Sequence, residues 1–225
     1  MTYQNEITPE LIEFVLGKKI LFKYEEEKME RKQEQIVVDE ELLIPTKMLF
    51  YEDLDQIKAK ILKIKGNKVI LDQSIFYPEM GGQDPDTGFI GEAEVFKVEK
   101  INDTLIHYVN NPNILTEGQE VLIKINKKRR EKLRKHHTTA HIILGLLRSG
   151  KIKGIKNVWQ AGAHKYEDRA HLDITYPKPL SIDQIKELED KINDIINKGL
   201  KVEIKYLPRN EAEMKYGFSI YQGGV

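Results

Sequence analysis

Lys127-Lys128-Arg129-Arg130-Glu131-Lys132-Leu133-Arg134-Lys135-His136-His137-Thr138-Thr139-Ala140-His141 marks the point where the chain changes its periodicity. Upstream, apolar residues come in short alternating runs; from Lys127 they recur at helical spacing through Leu147. Residues four apart on a helix share a face, so His137 and His141 stand side by side at the start of the apolar stretch. Two neutral imidazoles on one face can ligate Zn²⁺, but a catalytic zinc takes three protein ligands and keeps one position open. The stretch therefore offers part of a metal site. The 225 residues include no cysteine, so neither a thiolate ligand nor a disulfide can come from this polypeptide.

Working outward toward the N-terminus, Ala93 to Val98, Thr104 to Val109 and Glu120 to Ile125 alternate as strands do, behind an irregular segment Gly81-Gly82-Gln83-Asp84-Pro85-Asp86-Thr87-Gly88. Met48 to Tyr51, Lys58 to Ile64 and Lys68 to Asp72 read as further strands, with Gly66-Asn67 as a hairpin turn. Five or six short strands with tight turns predict a small β-barrel. Residues 7–44 read as helical, with Pro9 early and a dense mixed-charge stretch from Glu25 to Gln35, and Pro45 ends that pattern.

Toward the C-terminus, Val158 to Ala163, Ala170 to Thr175 and Val202 to Leu207 read as strands and Ser181 to Asn197 as an amphipathic helix. Ser181-Ile182-Asp183-Gln184 has the form of a capping box, and Gly199 sits where that helix should stop. The expected class is α+β, in three parts: a helical lead over 1–45, a β-barrel over 46–126, and an α+β domain over 127–225 that is incomplete at its C-terminus.

Composition narrows the function. Hydrophobic content is 40% with no apolar run long enough to span a membrane, and Met1 to Glu10 lacks a signal-peptide pattern, so no membrane association and a cytoplasmic address are expected. The net charge is zero, with 36 basic and 36 acidic residues, which excludes attraction to nucleic acid by bulk charge. Lys127, Lys128, Arg129, Arg130, Lys132, Arg134 and Lys135 form either a local phosphate-binding strip or a solvated helix face.

The string from Arg129 to His141 resembles the zinc-binding helix of the alanyl-tRNA synthetase editing domain and of the free-standing alanyl-tRNA editing proteins. Further blocks agree in order: Thr46-Lys47-Met48-Leu49-Phe50-Tyr51, Phe76-Tyr77-Pro78-Glu79 running into Gly81-Gly82-Gln83, Val158-Trp159-Gln160-Ala161-Gly162-Ala163, Leu172-Asp173-Ile174-Thr175, and Pro208-Arg209-Asn210-Glu211-Ala212-Glu213 with Tyr216-Gly217-Phe218. The resemblance covers residues 46–225 and is nearest to the archaeal type of synthetase. It implies a small β-barrel joined to an α+β editing domain that hydrolyses tRNA(Ala) mischarged with serine or glycine.

By the same resemblance, His137 and His141 are zinc ligands, and the other two come from a Cys-x-x-x-His motif after Tyr221-Gln222-Gly223-Gly224. This chain ends at Val225, before such a motif, so a partner chain is expected to supply it. Gln160 falls where the family has a polar residue facing the aminoacyl group, and Thr138 or Thr139 faces the pocket unless it serves as a helix cap. Gly81-Gly82-Gln83 matches a glycine-rich tRNA-contacting motif, although Met80 replaces a glycine and Asp84 intervenes before Pro85. Arg130 and Arg134 are the basic residues expected to meet tRNA phosphates. His136 is expected to be structural, and His107, His164 and His171 lack ligand spacing. No general base is evident near the histidine pair, and no ATP phosphate-binding motif is present. Two functions follow: an editing hydrolase, either a truncated product or one piece of a split synthetase completed by a partner chain, or a non-catalytic tRNA-binding or assembly subunit of a split synthetase.

Overall fold

The computed structural model describes residues 40–156, 158–203 and 206–216, which belong to one compact unit beginning at Glu40. The helical lead expected over 7–44 lies outside these residues up to position 39. Its last residues form a 3-10 turn, Glu40–Leu42, that buries Leu42.

Ten strands follow. They are β1 (Lys47–Met48), β2 (Gln56–Lys65), β3 (Lys68–Leu71), β4 (Gln73–Ser74), β5 (Gly88–Ile90), β6 (Ala93–Ile101), β7 (Thr104–Val109), β8 (Glu120–Ile125), β9 (Trp159–Lys165) and β10 (Ala170–Thr175). Six of them make an antiparallel sheet in the order β2-β3-β7-β6-β5-β8, and β2 bonds to both β3 and β8, so the order returns to its start. Alternation drives this arrangement. In β8, Val121, Ile123 and Ile125 are buried while Leu122 is half exposed, and β2 likewise turns Ala59 and Ile61 inward. These side chains meet Val69, Leu71, Val95, Val98 and Leu105 in one core. Gly66, at φ +60°, closes the tight β2–β3 turn, a backbone state that β-carbons disfavour.

His107 on β7 is wholly buried in this part of the protein. Its Nδ1 lies 3.1 Å from the Val69 carbonyl and its Nε2 2.8 Å from Ser74 Oγ. Burial pushes its pKa down to about 4, with the Val69 bond opposing.

Helix α1 (Lys127–Arg148) starts directly after β8, and the Asn126 side chain caps it by accepting from the Arg129 amide. Helix α2 (Ile182–Asn197) begins with the reciprocal Ser181–Gln184 capping box, and Gly199, at φ +62°, follows its end. Helix α3 spans Arg209–Tyr216. Strands β9 and β10 pair antiparallel, and α1 and α2 join them around a second core of Leu146, Leu147, Ile152, Ile155, Val158 and Leu188. The mixed helix-and-sheet class expected from the sequence is what the structure has.

Three local readings need correction. The strand expected over Met48 to Tyr51 is only Lys47–Met48, because a turn at Phe50 and Tyr51 follows it. Among the described residues of the Val202 to Leu207 run, none is in a strand, since no neighbouring strand offers it hydrogen bonds. Strands β4 and β5 were not anticipated.

The α1 end nearest the closed sheet is fastened by a buried ion pair. Arg130 is 6% exposed and Asp86 fully buried; Arg130 Nε and Nη2 both donate to the Asp86 carboxylate, and Nη2 also donates to the Ile75 carbonyl at 2.6 Å. The second Asp86 role is to accept from the Tyr77 amide at 2.7 Å. Removing one partner of such a pair leaves an uncompensated buried charge and costs about 3–5 kcal/mol. Asp86→Ala is therefore expected to lower the unfolding free energy by about that amount, read in urea melts; a change under about 1 kcal/mol would contradict the clasp.

His107 gives a pH dependence of defined sign. Its folded pKa, about 4, lies below the unfolded value of roughly 6.5, so the unfolded chain binds more protons in between. Its contribution is complete above pH 6.5 and is lost as pH falls toward 4. The urea midpoint should fall across that window, and the slope should flatten in His107→Gln; an unchanged slope in the variant would exclude His107 as the source.

Candidate functional site

The loop from Gly81 to Asp86 docks onto β9 backbone to backbone. Lys165 N donates to the Gly82 carbonyl at 2.8 Å, Asp84 N donates to the Lys165 carbonyl at 3.0 Å, and Gln83 bridges Lys165 in parallel sense. Gly82, at φ +61°, permits the contact: a β-carbon there would lie 2.2 Å from the Ala163 carbonyl oxygen. The docking brings Gln83, only 3% exposed, against α1, where its Oε1 is 2.8 Å from His137 Nδ1. An amide oxygen only accepts, so with the amide in this orientation the ring proton sits on Nδ1 and the Nε2 lone pair is free.

His137 and His141 lie as the helix spacing predicts, their rings 5.1 Å apart and 9° from parallel. Both are held neutral. Desolvation, followed by the charge of Lys165 and the neighbouring His141, pushes His137 down to about 4; desolvation, then Lys165 and Arg148, lowers His141. Lys165 is itself 2% exposed, with its Nζ donating to the Gly81 carbonyl at 3.0 Å, and burial lowers its pKa. A neutral imidazole fixed as His137 is by Gln83 is suited to a metal. Among the described residues, however, no three His, Asp or Glu side chains converge as a metal cage. The pair fits half of a zinc site and no more.

Gln160 reaches its position through an irregularity. The β9–β10 register runs Lys165–Ala170, Ala163–Leu172 and Gly162–Asp173, then shifts by one residue so that Gln160 faces Ile174. The shift at Ala161 carries Gln160 round to the side of the ribbon that bears Lys165, which strict alternation would have denied it. Thr138 shares a cleft with Gln83 and His137, whereas Thr139 borders a different hollow with Ile142 and Ile196. Neither threonine caps the helix, since that role belongs to Asn126.

The basic run is mostly clasped within the protein. Lys127 pairs with Asp55 at 2.7 Å, Lys132 with Glu167 at 3.1 Å, and Arg129 with Glu167, Asp84 and the Pro85 carbonyl. Arg130, expected to meet tRNA, is instead the buried partner of Asp86, its guanidinium used up by Asp86, Ile75 and Phe50. Arg134 stays exposed, beside Asp53 at 3.6 Å. His136 Nδ1 donates to the Tyr166 carbonyl and His164 Nε2 to Asp84, so both are structural ties, while His171 sits 3.8 Å from Asp173. The sequence reading missed Lys165 and the acids Asp84, Asp86 and Glu167; acids spaced along a loop opposite a basic helix are the signal that pointed to them.

A closed antiparallel sheet, a docked glycine loop and a histidine pair on the following helix accompany membership of a defined class. The family described as tRNA synthetases class II (A) matches residues 15–129, and the chain belongs to that family. Its relatives include alanine–tRNA ligases of archaea. That of Pyrococcus abyssi is 39% identical over 240 aligned positions, covering 97% of this chain and 26% of the relative. Those of Methanococcus aeolicus and Thermococcus kodakarensis are 43% and 41% identical, covering 80% and 89% of this chain but 20% and 23% of the relatives. The chain thus spans about a quarter of the length of these enzymes. No helix among the described residues is long and apolar enough to cross a membrane.

Gly82→Ala tests the docking. The added methyl cannot fit against Ala163 O, so the loop must move away from β9 and release His137 from Gln83. The expected result is faster amide exchange at Lys165 and Asp84 together with a changed His137 ring-nitrogen NMR signal; wild-type signals at all three would refute the arrangement.

Proposed function

We propose that this chain is an editing module that hydrolyses Ser-tRNA(Ala) or Gly-tRNA(Ala), with a zinc site begun by His137 and His141 and completed by Cys-x-x-x-His ligands that lie outside these 225 residues. The observation that carries the reading is the parallel imidazole pair, of which His137 is fixed by Gln83 and lines a cleft. Membership of the synthetase family adds the substrate class. A pocket shaped for alanine discriminates against glycine or serine by about a hundredfold or less, so a second, hydrolytic site meets a physical need.

Zinc, when bound, would supply a Lewis acid that orients the ester or its water. The chain's own residues do the rest. Gln83 holds His137 in one tautomer, the Gly81-Gly82 backbone leaves room for a nucleotide to approach, and the Gln160 amide offers a hydrogen bond to a serine hydroxyl that alanine lacks. Thr138, exposed on the same cleft, is a further polar neighbour for the aminoacyl group. An aminoacyl ester is already activated, so positioning carries much of the catalysis. The non-catalytic alternative, a subunit that binds tRNA through the basic run, is the weaker reading because that run is largely paired with Asp55, Asp84, Asp86 and Glu167.

The test combines the chain with a partner bearing Cys-x-x-x-His. Zinc is expected at one per assembly and only weakly in the chain alone, since two imidazoles retain it poorly. His137→Ala should abolish retention and lower Ser-tRNA(Ala) deacylation by at least about a hundredfold, the loss expected when a metal ligand or its support is removed. Deacylation that survives His137→Ala unchanged would refute the proposal.

A further inference from the structure

The cleft that His137 borders is lined also by aromatic rings that the hydrolytic reading leaves without a role. Its volume is about 270 Å³, and Phe50, Tyr51 and Tyr77 line it together with Gln83, His137 and Thr138. The three rings meet edge to face, Phe50 4.7 Å from Tyr51 and 5.4 Å from Tyr77, with Tyr51 and Tyr77 6.4 Å apart. Phe50 is buried and braces the group, whereas Tyr51 is 53% exposed. Tyr77 borders the same space as the His137 imidazole: a β-carbon on Gly81 would lie 3.7 Å from Tyr77 Oη and 3.6 Å from His137 Cε1. Both tyrosines stay neutral donors, Tyr77 pushed up to about 12 and Tyr51 raised, in each case chiefly by burial.

Arg134 stands at the rim of this cleft. Its only ion pair among the described residues is with the fully exposed Asp53, at 3.6 Å. A pair of that kind contributes about 0–1 kcal/mol, so another anion can take the guanidinium over. Arginine binds phosphate with two parallel bonds, and an exposed, braced aromatic ring is a platform for a base.

We infer that this cleft is a nucleoside monophosphate subsite, in which a purine stacks on Tyr51 and Arg134 holds its 5′ phosphate. The inference rests on the editing reading, and within it the nucleoside is the 3′-terminal adenosine of the aminoacylated tRNA. Stacking on Tyr51 turns the ribose toward His137 and brings the ester to the imidazole side of the cleft. Glu52 also borders the cleft, and with Asp53 it opposes further phosphates, so the subsite is matched to one phosphate and not to a triphosphate.

Adenosine 5′-monophosphate titrated into the 225-residue chain, followed by NMR and calorimetry, tests the subsite without metal or partner. Saturable binding is expected, weaker for ATP. Tyr51→Ala should weaken it about tenfold, the loss expected of one stacked base, and Tyr51→Phe should restore it. Arg134→Ala should weaken binding and flatten its salt dependence, while Asp53→Asn should tighten it. In deacylation by the assembly, the Tyr51→Ala loss should fall on KM. Equal affinity in wild type and Tyr51→Ala, or no saturation at millimolar nucleotide, would overturn the inference. A Tyr51-dependent nucleotide site in an assembly that fails to deacylate retains the subsite and removes the editing reading. Deacylation with a KM indifferent to Tyr51→Ala does the reverse.

Discussion

The segment from Gly81 to Asp86 is the joint on which the arrangement of this protein depends. At one end Gly82 presses its carbonyl onto the Lys165 amide, closer to Ala163 than any side chain would allow. At the other, Asp86 is locked under Arg130. One loop, pinned at two points, therefore fixes α1 against the closed sheet and β9 against the loop. Gln83 lies between the two pins, so its contact with His137 follows from them. The histidine pair is positioned by backbone bonds and a buried ion pair, which resist displacement far better than a flexible side-chain contact does.

Charge works here in two regimes. Surface pairs such as Lys127–Asp55 lie in high dielectric and contribute little each, while Arg130–Asp86 is shielded from water and costs heavily if half of it is lost. The same shielding acts on Lys165, a nearly unexposed cation with a backbone carbonyl as its hydrogen-bond partner. Desolvation first, and the Lys165 charge after it, lower the pKa of both imidazoles and favour their neutral form. A chain with no net charge has thus concentrated positive potential at one interior point through burial instead of composition.

Periodicity made much of this legible. The change of rhythm at Lys127, the alternation of β6, β7 and β8, and the Ser181 capping box all have local physical causes, and the structure places elements there. That His137 and His141 share a helix face was legible for the same reason, because i and i+4 are neighbours on any helix. What stayed hidden depends on contacts far apart in sequence. Arg130 read as a phosphate ligand because its partner Asp86 is 44 positions away. Gln160 reached the Lys165 side of its ribbon only through a one-residue register shift, which no alternation pattern announces. Val202 read as a strand residue because its neighbours alternate, yet a strand needs a partner edge, and among the described residues the sheet there consists of β9 and β10.

The distribution of exposure bears on how such a site would work. Groups that orient other groups are buried: Gln83, Lys165, Asp86 and Arg130 are each at most 6% exposed. Groups left for a ligand are open: Tyr51, Arg134 and Thr138 face solvent. Rigid support behind an exposed rim lowers the entropy lost when a ligand is ordered, because the support has already been fixed by folding. On the editing reading, the nucleoside end would then spend its binding energy on placing the ester, and the two imidazoles need only present lone pairs in a fixed direction. On that same reading two histidines would be weak as a metal trap, but Gln83 and the glycine docking would set the direction of His137 before any further ligand arrives.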